Sequence, residues 1–131
     1  EEMIPNPSSF DLMGGTIYNA WPASPNGDFA LGQLESARVQ AQAHGKPIGI
    51  SEWASSGIGG SSIGGPGGDY PGFMTAMHTY FNQHKGTGPG QLWYETFFNI
   101  DGYDLDHQIL RSNGSVNPSQ PNAANKYKEL F

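Results

Sequence analysis

The chain has 131 residues, 12 acidic against 6 basic, for a formal net charge of −6, and no cysteine. It is too short for a complete (β/α)8 barrel, which needs about 250 residues, and fits one domain over residues 1–131. Without Cys there is neither a disulfide framework nor a thiolate zinc site, and six scattered Lys and Arg make no basic patch for nucleic acid or an anionic membrane.

Leu, Ile, Val and Phe supply only 24 residues, while Gly and Pro supply 19 and 10. Three Trp, six Tyr and seven Phe argue against disorder, so the expectation is a folded domain with a thin core and long loops. No apolar run approaches the roughly 20 residues of a membrane span. The first residues, Glu1-Glu2-Met3-Ile4-Pro5, lack the basic and apolar regions of a signal peptide; they also lack a starting Met, which predicts a processed chain or a piece of a longer one.

In chain order, residues 11–18 read as a buried strand ending in the turn-prone Asn19-Ala-Trp-Pro22. Ala30, Leu34, Ala37 and Ala41 recur at helical spacing and predict a helix over 29–44, with Asp28 as N-cap and Gly45 as stop. Lys46-Pro-Ile-Gly-Ile-Ser-Glu-Trp53 reads as a second buried strand, followed by a Gly/Ser loop over 57–68. Asp69 is expected to cap a second helix with Phe73, Met77, Tyr80, Phe81 and His84 on one face. A third strand over 91–98, a polar loop over 99–118 and a helix from Pro121 to Phe131 complete the pattern. Strands alternating with amphipathic helices imply parallel βαβ units, hence an α/β fold; a flavodoxin-like open sheet alternates in the same way.

In such folds the chemistry gathers at the carboxyl ends of the strands. Those ends carry Tyr18, Asn19 and Trp21; Glu52 and Trp53; and residues 93–99. A carboxylate ending a buried strand costs free energy unless it is paired or hydrogen-bonded, so Glu52 is either a functional acid or a loop-capping acceptor. Trp21, Trp53, Tyr70, Trp93 and Tyr94 beside carboxylates suit sugars, whose C–H faces stack on aromatic rings. Taken singly, each aromatic is more often a core residue than a platform.

Several motifs together resemble retaining glycoside hydrolases with (β/α)8 barrels, and most of all glycoside hydrolase family 26 and related mannanase- and endoglucanase-like sequences. Lys46 to Trp53 resembles the seventh strand, where the terminal Glu is the nucleophile, and Gly67-Gly-Asp-Tyr-Pro-Gly-Phe73 resembles the opening of the seventh helix. Trp93-Tyr-Glu-Thr-Phe-Phe-Asn99 with Asp106-His-Gln108 resembles the eighth strand and its loop, residues 121–131 the closing helix, and residues 11–21 the sixth strand. The resemblance implies three parallel βα units corresponding to strands 6–8 of a TIM barrel, hence a partial barrel. It implies a secreted, extracellular enzyme that needs no cofactor and hydrolyses β-linked mannan or glucan. Glu52 is then the nucleophile; Tyr18 and Trp93 border the sugar at the broken bond; Trp21, Trp53, Asn99 and His107 are further substrate contacts.

The family's general acid stands in a His-Glu or Asn-Glu pair, and neither dipeptide occurs here. Glu95 is the one other acid within an expected strand, either a substitute acid or a buried pairing residue. The alternative from a different class is a noncatalytic carbohydrate-binding or structural fragment. Three strands leave two edges, so self-association or completion by an N-terminal barrel part is expected, joined at residues 11–18 and 91–98.

The remaining motifs predict no metal site. Asp101, Asp104, Asp106 and His107 lack the spacing of a calcium loop, the histidines lack metal-helix spacing, and the glycine loop lacks the Lys-Ser/Thr ending of a phosphate cradle. Asn113-Gly-Ser115 has the form of a glycosylation sequon.

Overall fold

The computed structural model describes residues 6–20, 23–56, 68–100 and 107–131. After a short 3₁₀ turn at Pro7–Ser9 come β1 (Met13–Asn19), α1 (Asp28–Ala43), β2 (Ile48–Ser55), α2 (Pro71–His84), β3 (Leu92–Phe97) and α3 (Pro121–Leu130). The strands form one parallel sheet in the order β1-β2-β3. The fold is therefore α/β, with a three-stranded parallel sheet and three helices.

Parallel strands need long crossovers, and α1 and α2 provide them. The stop of α1 is a Schellman closure: Gly45 at φ 69° donates to the Gln42 carbonyl at 3.0 Å, and Lys46 to the Ala41 carbonyl at 2.9 Å. Two caps differ from expectation. Asp28 is the first helical residue, and its amide donates to Ser24 Oγ at 2.9 Å. Asp69 caps α3 rather than the helix that follows it, accepting from the Asn122 and Ala123 amides at 2.9 and 2.6 Å. The dipole of α3 favours that placement, because its first amides have no partner within the helix. One carboxylate thereby ties the segment after β2 to the start of α3.

Among the described residues, one face of the sheet packs against the helices and the other, called the open face below, is covered by no helix. Ile17, Ile48, Ile50, Trp53 and Leu92 are buried with Leu34, Phe73, Met77 and Ala124 in a single core. Because side chains alternate along a strand, Thr16 and Tyr18 fall on the opposite face, and past the extra residue Trp93 so do Tyr94 and Thr96. Tyr94 lies across β2 there: a Cβ on Gly49 would sit 2.5 Å from its ring, so only glycine leaves it room.

An ionic brace links α1 and α2. Arg38 forks onto both oxygens of Glu35 at 2.7 Å, and the Tyr80 hydroxyl donates to the same carboxylate at 2.7 Å. The Arg38 hydrogen bonds, helped by Tyr80 and opposed by burial, pull the Glu35 carboxyl from 4.5 down to about 2. Its folded-state value lies below its unfolded one, so the unfolded chain binds the extra proton between about pH 4.5 and 2. The stabilisation is complete above that window and disappears as pH falls through it. Glu35→Gln is expected to lower the melting temperature at neutral pH and to flatten its decline below pH 4.5, with solvent screening moderating both effects. Calorimetry on both proteins from pH 2 to 7 tests this; parallel Tm–pH curves would remove the brace from the stability account.

Candidate functional site

The central event is a change of register in β2. Gly15 pairs with Ile50, but Thr16 pairs with Glu52, so Ser51 is one residue more than β1 can match. On the other side Ile50 opposes Glu95 and Trp53 opposes Phe97, which sets Ser51 and Glu52 against Thr96 alone. Under strict alternation Ile48, Ile50 and residue 52 would all face the helices, burying the Glu52 carboxylate in the core. The bulge delivers Trp53 to the core and turns Glu52 to the open face. Bulges characteristically re-aim one side chain in this way and concentrate beside active sites.

On the open face Glu52 meets Tyr18, whose hydroxyl donates to its carboxylate. Tyr18 is held by rings: Phe98 stands edge-on at 6.1 Å between centroids and His107 lies at 5.0 Å. His107 and Phe98 contact each other at 5.8 Å. His107 is 5% exposed, and its Nδ1 lies 2.7 Å from the Ser55 carbonyl oxygen. A carbonyl only accepts, so Nδ1 carries the proton. A cleft of about 380 Å³ lined by Thr16, Tyr18, Phe29 and Gln33 adjoins the pair at the edge of β1 that pairs with no described strand.

Two further contacts hold the frame. Asn99 donates to the Leu110 carbonyl at 2.6 Å, and its Oδ1 accepts from the Ile109 and Leu110 amides at 2.8 and 3.0 Å. The segment that carries His107 is thus fastened to the end of β3. Ser55 Oγ donates to Gln120 Oε1 at 2.6 Å, joining the end of β2 to the residue before α3.

The structure brings Glu52, Tyr18 and His107 together and places Trp53, Glu95, Trp93 and Asn99 elsewhere. Trp53 is 0% exposed and packed among the helices, so it cannot stack on a sugar; the reading of it as a substrate contact is corrected. Glu95 faces the helix side and accepts the Trp53 indole N–H, which takes it away from Glu52 and from the part of substitute acid. Trp93 is 56% exposed at the opposite end of β3, an extra residue between the Ile48–Leu92 and Gly49–Tyr94 pairs, remote from the carboxyl ends of the strands. The Asn99 side chain is engaged with the backbone of the following loop rather than presented to a ligand. Trp21, Asp101, Asp104 and Asp106 lie outside the described residues.

Sequence reasoning did not single out Phe98 or Ser55. The signal for Phe98 was present, since it shares parity with Tyr94 and Thr96 on β3. That for Ser55 was not, because its role depends on its backbone carbonyl. Among the described residues no group of three His, Asp or Glu is placed to hold a metal ion.

The fold and site define an α/β protein with a tyrosine-bonded carboxylate on the open face of a parallel sheet. Compared with known proteins, the chain matches no family model, no curated protein and no solved structure.

Proposed function

We propose that this chain is the part of a secreted retaining glycoside hydrolase that bears the nucleophile. In this reading its three βα units correspond to strands 6–8 of a (β/α)8 barrel like that of glycoside hydrolase family 26, and the substrate is β-linked mannan or glucan. The supporting observation is the Tyr18–Glu52 pair, displayed on the open face by the bulge at Ser51. The tyrosine hydroxyl orients the carboxylate, and Phe98 and His107 hold the tyrosine ring in place.

The chemistry is a displacement. A Glu52 oxygen attacks the anomeric carbon, the bond to the leaving oxygen breaks with its electron pair on that oxygen, and a glycosyl ester of Glu52 remains for water to cleave. A sugar alkoxide also needs a proton as it departs, from a second carboxyl group about 5–5.5 Å from the nucleophile. We assign that donor to another segment or chain that completes the barrel. The experiment is covalent trapping with dinitrophenyl 2-deoxy-2-fluoro-β-mannoside or the corresponding cellobioside. A mass increase of one fluoroglycosyl group on the peptide containing Glu52, absent from Glu52→Ala, is expected. Equal labelling of both proteins would remove the nucleophile assignment.

A second reading, a noncatalytic carbohydrate-binding or structural fragment, draws support from Glu95, which is turned to Trp53 and gives the open face no second carboxylate. Oligosaccharide binding that survives Glu52→Ala, with no trapping, would favour it.

The partner proposed for the sheet follows from its edges. Among the described residues β1 and β3 each pair on one side only, and Trp93 and Tyr94 are exposed on β3. Unpaired parallel edges with apolar side chains recruit further strands. Light scattering at micromolar concentration is expected to give a mass above that of the monomer; a stable, cooperatively melting monomer would count against it.

A further inference from the structure

We infer that His107 is a positioning residue whose ring and Nδ1–H hold the Tyr18 hydroxyl on the Glu52 carboxylate. Its value for catalysis rests on the function proposed above; its geometric content does not.

Tyr18 and Glu52 stand on adjacent strands, with Thr16 rather than Tyr18 directly paired to Glu52. The phenol must therefore lean back along the strand to reach the carboxylate, and a tyrosine on an open sheet face has other rotamers available. Here the ring is confined. Phe98 meets it edge-on from β3, and His107 covers it at 5.0 Å and 38°. Tyr18 itself pairs with Ala54, which is fully buried although it lies on the open face. His107 is in turn fixed at one defined atom, its Nδ1–H on the Ser55 carbonyl at 2.7 Å. Ser55 is the last residue of β2, three beyond Glu52, so the histidine is referenced to the strand that carries the carboxylate.

The bracing continues outward. Asn99 grips the Ile109 and Leu110 backbone, and the Asn117 side chain donates to the Gln108 carbonyl at 2.7 Å, so both flanks of the segment after His107 are fastened. The resulting order is Asn99 to the loop, His107 to Ser55 and Tyr18, Tyr18 to Glu52. Two residues read from the sequence as sugar contacts thus act through others.

The test uses the full chain labelled with 13C at the tyrosine Cζ, where hydrogen bonding to a carboxylate registers directly. Six tyrosines give six signals, and Tyr18→Phe assigns the one in question. Glu52→Gln, which removes the charged acceptor, sets the displacement that loss of the pair produces. His107→Ala is expected to move the Tyr18 signal in the same direction by at least half that displacement and to leave the other five in place. His107→Asn, which keeps an N–H for Ser55 without the ring, and His107→Phe, which keeps a ring without the N–H, should each give an intermediate displacement. In the trapping reaction His107→Ala should slow labelling of Glu52 by about 10²-fold, as expected for misplacement by an ångström.

A Tyr18 signal that moves in Glu52→Gln but not in the His107 variants overturns the positioning role and leaves the pair intact. Disturbance of all five other signals in every His107 variant overturns it too, assigning His107 to general core stability. A Tyr18 signal indifferent to Glu52→Gln shows that the pair is absent, and then the proposed function loses its support as well. Trapping that fails while the Tyr18 displacements follow the expected order sinks the function alone.

Discussion

Incubated with polymeric mannan or glucan, the isolated chain is expected to release little or no reducing sugar, while dinitrophenyl mannoside or cellobioside is cleaved. The contrast comes from the leaving group. Dinitrophenolate departs without a proton, whereas a sugar alkoxide needs one, and a positioned general acid contributes about 10²–10⁴-fold. In the proposed reading Glu52 makes the attack, whereas Glu95 hydrogen-bonds the Trp53 indole on the other face of the sheet. Glu52→Ala should abolish the activated reaction, and Glu95→Gln should leave its rate unchanged because that carboxylate never faces the substrate. Rapid polymer hydrolysis by the chain alone would reveal an acid within it, and loss of that activity in Glu95→Gln would reverse the assignment of Glu95.

The alternation of strands and helices was legible because it rests on local patterns. Ala30, Leu34 and Ala41 are buried on one face of α1, as their spacing requires, and Gly45 closes the helix at positive φ. The cap at Asp69 was misassigned for a physical reason. A carboxylate before a helix can serve any nearby orphan amides, and here the start of α3 is the closer set. The site was legible only in part. That Glu52 is unusual followed from a carboxylate in a buried strand; which way it points depends on one surplus residue in β2, and register is a property of paired strands rather than of one segment. The same bulge decides Trp53. A single indole is more often core than platform, but its place beside a carboxylate suggests a platform, and the pairing of Trp53 with Phe97 sends it inward.

Trp53→Ala is therefore expected to damage the fold rather than the affinity for sugar. The indole touches Phe97 at 4.7 Å, Phe81 at 5.4 Å, Phe131 at 5.6 Å, Phe73 at 5.9 Å and Tyr127 at 6.2 Å, so β3, α2 and α3 all meet on it. Truncating such a residue costs about 3–5 kcal/mol through lost burial and the cavity left behind. The Glu95 carboxylate also loses its indole donor, a further cost of about 1–3 kcal/mol for a shielded group left unpaired. Native domains are stable by only about 5–15 kcal/mol, so the variant should sit near the unfolding threshold. At best it should melt about 10–25 °C lower. Trp53→Phe separates the two contributions, keeping most of the packing and losing the N–H, and should fall between wild type and Trp53→Ala. Trp53→Ala with Glu95→Leu removes the stranded charge together with its partner and should recover part of the loss, because an apolar side chain needs no hydrogen bond. Circular dichroism melts of the four proteins measure this directly. A Trp53→Ala melting curve that overlays wild type, with weakened oligosaccharide binding, would return the indole to the substrate.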